Sequence, residues 1–416
     1  MTSSRYGWAL VAVLWFIWLL NYLDRQVIFS VFPLLRSELR LSDFELGLLG
    51  TSFLWVYALA SPAVGYLGDR FGRKKVIFAS LLAWSIMTWA TGKAKNFQEL
   101  LWARGLMGVA EAAYLPAGLA LISDHHTERT RALATGLHNS GAYVGAVLGG
   151  VAGGWIGERY GWRSAFAFLG LTGIAYAFVA AVALRGAPTI PTRDANLPQS
   201  HSPRFAASLR QVCSLRAFPT LTLVFVVMSI ANWLVYTWMP IYLYEGFHLS
   251  LWAAGYSATF YLQAGAVGGT LLGGVVADKW GTRAERGRLL TQGAGLALAA
   301  SFLCLAGMTP AVGFLLAALV VFGIGKGAYD CNCMPVLCQI APPELRSTGY
   351  ALFNCAGTIA GGAVAAVAGA LKSSAGLGRM MVTAGLLLFI AAILLLRLEI
   401  GSSGRRSRGI QQISRR

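Results

Sequence analysis

The chain has 416 residues, 56% of them hydrophobic and only 12% charged, with a mean hydropathy of +0.60. Soluble domains carry roughly 25% charged residues, and a water-soluble chain could not hide this much apolar surface. A soluble class is therefore excluded, and a polytopic membrane protein is expected. The net charge of +17 has no basic, folded, water-exposed surface with which to serve a nucleic acid, and it reads as topological, with Lys and Arg gathered in cytoplasmic loops.

Hydrophobic runs between polar punctuation predict six helices over 8–35, 46–67, 76–92, 97–123, 131–154 and 165–184. Six more follow over 218–245, 253–277, 288–307, 312–340, 347–371 and 379–399. The first run is helix-length and lacks an A-x-A-like site, so it reads as a retained signal anchor. The longest hydrophilic stretch, 185–217, is rich in Pro, Ser and Arg and reads as a cytoplasmic linker with one short surface helix. It separates an N-terminal six-helix bundle (1–184) from a C-terminal one (218–400). A basic tail (401–416) is expected to lie against anionic inner-leaflet lipid or to be disordered. With both termini inside, the cytoplasmic side holds 23 Lys and Arg against eight outside, and Arg25, Arg104 and Lys326 remain within spans. That bias places the chain in the cell (inner) membrane with both termini cytoplasmic. The six cysteines lie almost wholly in apolar segments and read as packing residues, without a disulfide framework or metal spacing. His125 and His126 fall in the loop after the fourth helix and are expected to be solvated, with no histidine placed to relay protons.

The chain repeats itself. "GYLGDRFGRKK" ends the second predicted helix and "GGVVADKWGTRAERGR" the eighth, both reading G-x3-D-[RK]-x-G and placing Asp69 and Asp278 in equivalent loops. "RALATGLHNSGAYVGAVLGG" matches "RSTGYALFNCAGTIAGGAV" at an offset of 215, pairing Arg131 with Arg346 and Asn139 with Asn354. "GVAEAAY" matches "GIGKGAY" at the same offset, which sets Glu111 against Lys326. Such repeats place a substrate site between the halves near the bilayer midplane.

The repeated loop motif resembles the major facilitator superfamily, and the resemblance covers residues 5 to 400. It implies an all-α fold of twelve transmembrane helices in two six-helix pseudo-repeats. Within the superfamily, "NYLDRQV", "RGLMGVAEAAY", "RALATGLHNSGAYVGA" and "GYGWRSAF" are similar to the anion:cation symporters, which include sugar-acid transporters. "GYLGDR" with "RGLMGVAEAAY" is also similar to the spinster-like lysolipid carriers.

In the superfamily, helices 1, 4, 7 and 10 line the central cavity. The membrane-embedded charges fall on three of those four: Asp24 and Arg25, then Arg104 and Glu111 seven residues apart, then Lys326 and Asp330 four apart. Facing them to lipid would be costly, so they mark function. The resemblance assigns Asp24 and Glu111 as proton-coupling sites, and Arg25 and Arg104 as the clamps of an anionic substrate, suited to it by their planar bidentate fork. It also assigns Tyr57 to substrate, and Asn139 and Asn354 are expected to read hydroxyls or carboxylate oxygens. Lys326 has three open readings: a counter-ion for Glu111, a third cationic contact to substrate, or a local pair with Asp330. Asp69, Arg73, Arg131, Asp278 and Arg346 are expected to gate the cytoplasmic side.

The expected activity is alternating-access symport of a small organic anion such as a sugar acid with protons. The expected partners are that anion, protons and membrane lipid, with no cofactor, metal or nucleic acid, and the chain is expected to act as a monomer. Two other readings stay open. One is a spinster-like carrier of lysophospholipid or another amphiphile, its cavity lined by aromatics such as Trp55, Trp233 and Trp238; the other is a transporter-like ligand sensor. No nucleophile–base set or metal cluster points to an enzyme.

Overall fold

The computed structural model describes residues 2–185, 205–283, 286–342 and 345–398. These residues form helices and, among them, no strand. The first half contains α1 (Thr2–Ser30), α2 (Phe32–Leu39), α3 (Asp43–Phe71), α4 (Arg73–Thr91), α5 (Phe97–Ala112), α6 (Tyr114–His125), α7 (Glu128–Tyr160) and α8 (Trp162–Arg185). After α9 (Phe205–Cys213) come α10 (Phe218–Gly246), α11 (Leu251–Arg283), α12 (Gly287–Met308), α13 (Val312–Ile340), α14 (Arg346–Ala375) and α15 (Leu377–Leu396). The short helix expected in the linker is α9, which rests on α10 and α14 and buries Val212. The rest of the linker from 186 to 204, and the basic tail, lie outside the described residues.

Two of the twelve expected segments are broken, each by proline. The first runs as α1 and α2 with a break at Val31, and Pro33 sits in the first turn of α2. The fourth runs as α5 and α6, which meet at Ala113. Proline supplies no backbone donor, and its ring collides with the carbonyl four residues back; for Pro116 that is Ala112, where α5 ends. Other helix starts are set by side chains. Ser42 and Glu45 form a reciprocal cap on α3, and Asn96 accepts from the Glu99 amide at 2.9 Å at the start of α5.

Ten stretches of the described residues are long and apolar enough to cross a membrane. The two expected segments outside that number are α4, which opens on Arg73, Lys74 and Lys75, and α7, rich in Gly and Ala. The composition of α7 follows from its packing. Gly141, Gly145, Gly149 and Gly153 form a row at every fourth position against the backbone of α1, at Trp15, Leu19, Leu23 and Val27. Gly150 and Gly154 lie on a second face, against Gly255 and Leu251 of α11. Small residues allow this approach, which stands in for hydrophobic drive inside lipid.

Within the first half α1 packs on α7, and α4 on α5 and α8; within the second, α13 packs on α11 and α12, and α15 on α10 and α12. The repeat is visible in the turns. Gly161 (φ 80°) joins α7 to α8 and Gly376 (φ 76°) joins α14 to α15, 215 residues on, both in the left-handed region that glycine tolerates.

The halves meet along two seams, α3 with α14 and α7 with α11. Thr51 Oγ1 donates to the Gly362 carbonyl (2.6 Å) and Trp55 Nε1 to that of Ile359 (2.9 Å), while the Trp252 amide donates to Glu158 (3.1 Å). All these contacts lie toward the end where α3 and α11 begin. That end of the molecule is closed.

Candidate functional site

Between the halves lies a cavity of about 310 Å³, at the lower end of the range of small-molecule sites. The first half contributes Trp18, Tyr22, Arg25 and Tyr57 to its wall; the second contributes Asn232, Trp233, Lys326, Asp330, Tyr350 and Asn354. The pieces come from α1, α3, α10, α13 and α14, so the site exists only where both repeats face one another.

Its centre is Arg25. The guanidinium, 6% exposed, donates through Nε to Glu111 Oε2 at 2.6 Å, and Glu111 is fully buried. This charge-assisted contact joins α1 to α5. Four aromatic rings surround the cation: its Cζ lies 4.8 Å from the centre of Tyr57, 4.9 Å from Phe53, 5.0 Å from Tyr22 and 5.9 Å from Trp18. Arginine suits such a box because its flat, weakly hydrated head stacks on rings. Arg25 therefore forms no bridge with its neighbour Asp24; its acid comes from another helix. One of its nitrogens, Nη2, has no partner among protein atoms.

Asp24 and Arg104 sit behind the wall. Asp24 is 2% exposed, faces Trp84 and Thr88 of α4, and lies within electrostatic reach of Glu111 and Arg104. Arg104 is 1% exposed, its Cζ is 4.7 Å from the Phe53 ring, and its side-chain contact is Met107 Sδ at 3.2 Å. Phe53 thus lies between two guanidiniums, one on the cavity and one screened from it. Buried charges are retained where the surroundings balance them, and here two acids and two arginines share one apolar pocket.

Of the expected substrate contacts, Arg25, Tyr57, Lys326 and Asn354 line the cavity. Arg104 and Asn139 do not. Asn139 is on an exposed face of α7, its Oδ1 3.3 Å from His138 Nδ1. Lys326 Nζ contacts Asp330 Oδ2 at 2.6 Å, one helical turn away. Of the aromatics Trp55, Trp233 and Trp238, only Trp233 reaches the cavity; Trp55 bonds across the seam and Trp238 is buried, donating to the Ala365 carbonyl.

The expected gate residues whose side chains are described bind within their own half. Arg73 pairs with Asp124 and donates to the Ala120 carbonyl. Arg131 donates to the carbonyls of Ser123 and His126, Asp278 accepts from Arg288, and Arg346 donates to Cys338 and Ala341. The side chain of Asp69 lies outside the described residues. At the opposite, closed end, Arg36, Asp43, Lys372 and Glu245 form a ring of four ion pairs, two of which cross between the halves. The sequence reading missed this ring; its members are single charges scattered over α2, α3, α10 and α14 that only tertiary structure gathers.

One histidine expectation is corrected, and a further buried histidine is found. His126 is buried, its ring 4.9 Å from that of Trp8, because α1 packs over the end of α6. His138 is fully buried at mid-helix, stacked on Trp18 with Nε2 2.9 Å from the Tyr114 hydroxyl. Tyr114 donates its proton to the Leu14 carbonyl, so His138 supplies the hydrogen of the other bond. Its position within an apolar helix was the available signal.

A family model described as Major Facilitator Superfamily matches residues 14–366. The chain is 27% identical over 392 residues to the probable galactarate/D-glucarate transporter GudP of Escherichia coli (strain K12), covering 86% of this chain and 85% of that one. It is 28% identical over 229 residues to the sphingosine-1-phosphate transporter SPNS2 of Xenopus tropicalis, 54% of this chain and 44% of that one. Among solved structures, a bacterial homologue of the human lysosomal transporter Spinster, inward-facing and unoccupied, superposes with a TM-score of 0.82. It is 24% identical and the match covers 94% of this chain and 96% of that one.

Proposed function

This chain belongs to the Major Facilitator Superfamily and is a multi-pass membrane transporter rather than an enzyme, and on that premise we propose that it carries a small organic anion, a sugar acid, inward with protons by alternating access. The observation that carries this reading is the buried Arg25–Glu111 pair whose cation faces the cavity. While Glu111 is ionised it occupies Arg25. A proton on Glu111 weakens that hold, and the guanidinium turns its fork to a substrate carboxylate. Proton and substrate then favour the same state, which is positive linkage. Asp24, in the same pocket, is the second acid, and Arg104 balances the pair from behind Phe53. Tyr57 and Asn354 supply hydroxyl and amide contacts to the cargo.

The reading includes twelve crossings, with α4 and α7 completing the ten apolar spans, two six-helix bundles, and both termini cytoplasmic in the cell inner membrane. By that orientation the closed end faces outward and the cavity opens to the cytoplasm. Asp69, Arg73, Arg131, Asp278 and Arg346 would close the cytoplasmic end in the opposite state. The named substrates of the galactarate/D-glucarate relative support a sugar acid.

The similarity to SPNS2, with Trp18, Phe225 and Trp233 on the cavity wall, supports a second reading, transport of a lysophospholipid. One experiment separates the two. Proteoliposomes with an internal pH dye receive D-glucarate, galactarate or lysophosphatidylcholine outside. Interior acidification with the sugar acids, lost in both Asp24→Asn and Glu111→Gln, supports proton symport. A response to the lysolipid alone overturns it.

A further inference from the structure

We propose that Lys326 and Asp330 form a second anion-binding unit, which makes the carrier select substrates bearing two anionic groups over those bearing one. The inference rests on the organic-anion reading above and extends it to the far wall of the same cavity.

The two cationic side chains on that cavity come from opposite halves, Arg25 from α1 and Lys326 from α13. Each is held by one acid of its own half, Arg25 by Glu111 and Lys326 by Asp330. Glu111 and Lys326 occupy equivalent repeat positions, so the repeat places an acid on one side where it places a base on the other. The site therefore offers a cation on each of two facing walls, both neutralised while it is empty of substrate. An extended dianion can replace both acids. A monoanion of the same length can replace only one.

The two units differ in how they release. The Arg25–Glu111 pair has side chains 7% and 0% exposed, whereas those of Lys326 and Asp330 are 17% and 40% exposed. A partly exposed pair one helical turn apart is held less firmly than a buried one, and both Lys326 and Asp330 already line the cavity. Breaking a buried pair is costly. Arg25 thus waits for a proton, while Lys326 yields to an arriving carboxylate directly. Ser229, Asn232, Asn354 and Thr358 line the same cavity and carry the donors and acceptors that a polyhydroxylated chain would meet.

The test uses two six-carbon acids that differ at one terminus, D-glucarate with a second carboxylate and D-gluconate with a hydroxymethyl group. Their affinities are measured by calorimetry on purified protein in nanodiscs. Wild type should bind D-glucarate about tenfold tighter than D-gluconate, the worth of one charge-assisted contact. Lys326→Gln should weaken D-glucarate about tenfold more than it weakens D-gluconate. The double variant Lys326→Gln/Asp330→Asn, which leaves no unpaired acid, should do the same. Asp330→Asn alone should tighten D-glucarate. Equal affinity of wild type for both acids, or equal weakening of both in the Lys326 variants, overturns this proposal and leaves the organic-anion reading standing. Failure of wild type to bind either acid overturns both.

Discussion

Replacing Glu111 by Gln tests the coupling scheme at its centre. The substitution keeps the size of the side chain and removes the charge that holds Arg25 at 2.6 Å. A hydrogen bond to a charged group contributes about 1.5–3 kcal/mol. Full disruption of a buried pair costs about 3–5 kcal/mol, but Arg25 opens on the cavity, so the smaller figure applies. Glu111 competes with the substrate carboxylate for the same guanidinium. Removing that competition should tighten substrate binding at neutral pH by roughly 10- to 100-fold, since 1.4 kcal/mol is tenfold. The sign with pH follows. In wild type, affinity should rise as pH falls, because a proton does transiently what the substitution does permanently. In Glu111→Gln that rise should flatten, and proton-driven accumulation should stop while counterflow exchange continues. Calorimetry with D-glucarate in nanodiscs between pH 5 and 8, alongside uptake in proteoliposomes, reads both effects. Unchanged affinity with a surviving pH slope would refute the competition argument.

Other outcomes follow from the geometry. Lys372→Met removes one of the two cations that touch both Asp43 and Glu245. It should shift the population toward the state open at that end, read as faster labelling of a cysteine placed at Thr51, which the seam buries, by severalfold. Gly150→Leu would press a side chain onto the Gly255 carbonyl and Thr259. It should block closure of the α7–α11 seam and destabilise the fold by about 1–3 kcal/mol, as overpacking typically does, read as a lower melting temperature; an unchanged melting curve would count against this seam. Ser42→Ala removes the side-chain acceptor of the α3 cap and should cost about 1 kcal/mol without altering substrate affinity, checked by thermal unfolding and calorimetry together.

The sequence revealed what depends on composition along the chain, and hid what depends on the third dimension. Among the described residues hydropathy and polar punctuation located the long helices, ten of them as the apolar stretches that lipid demands. They missed the breaks at Val31 and Ala113, since apolar character runs through both and only Pro33 and Pro116 interrupt the hydrogen bonding. The 215-residue repeat was legible and reappears in the matched turns at Gly161 and Gly376. Charges on the first, fourth and tenth helices were legible as a set, because each is anomalous in an apolar run. Their partners were not: Arg25 bonds Glu111 across 86 residues of chain, and Arg104 hides behind Phe53. His126 was read as a loop residue because nothing local shows that Trp8 covers it.

The four-charge ring of Arg36, Asp43, Lys372 and Glu245 is partly wet, with side chains 12–34% exposed. Attraction between exposed charges fades with dissolved ions, over a screening length of about 10 Å at 0.1 M. A clasp built this way loosens in brine and tightens in fresh water. Under the proposed orientation, the salinity of the external medium would therefore tune how readily that end opens.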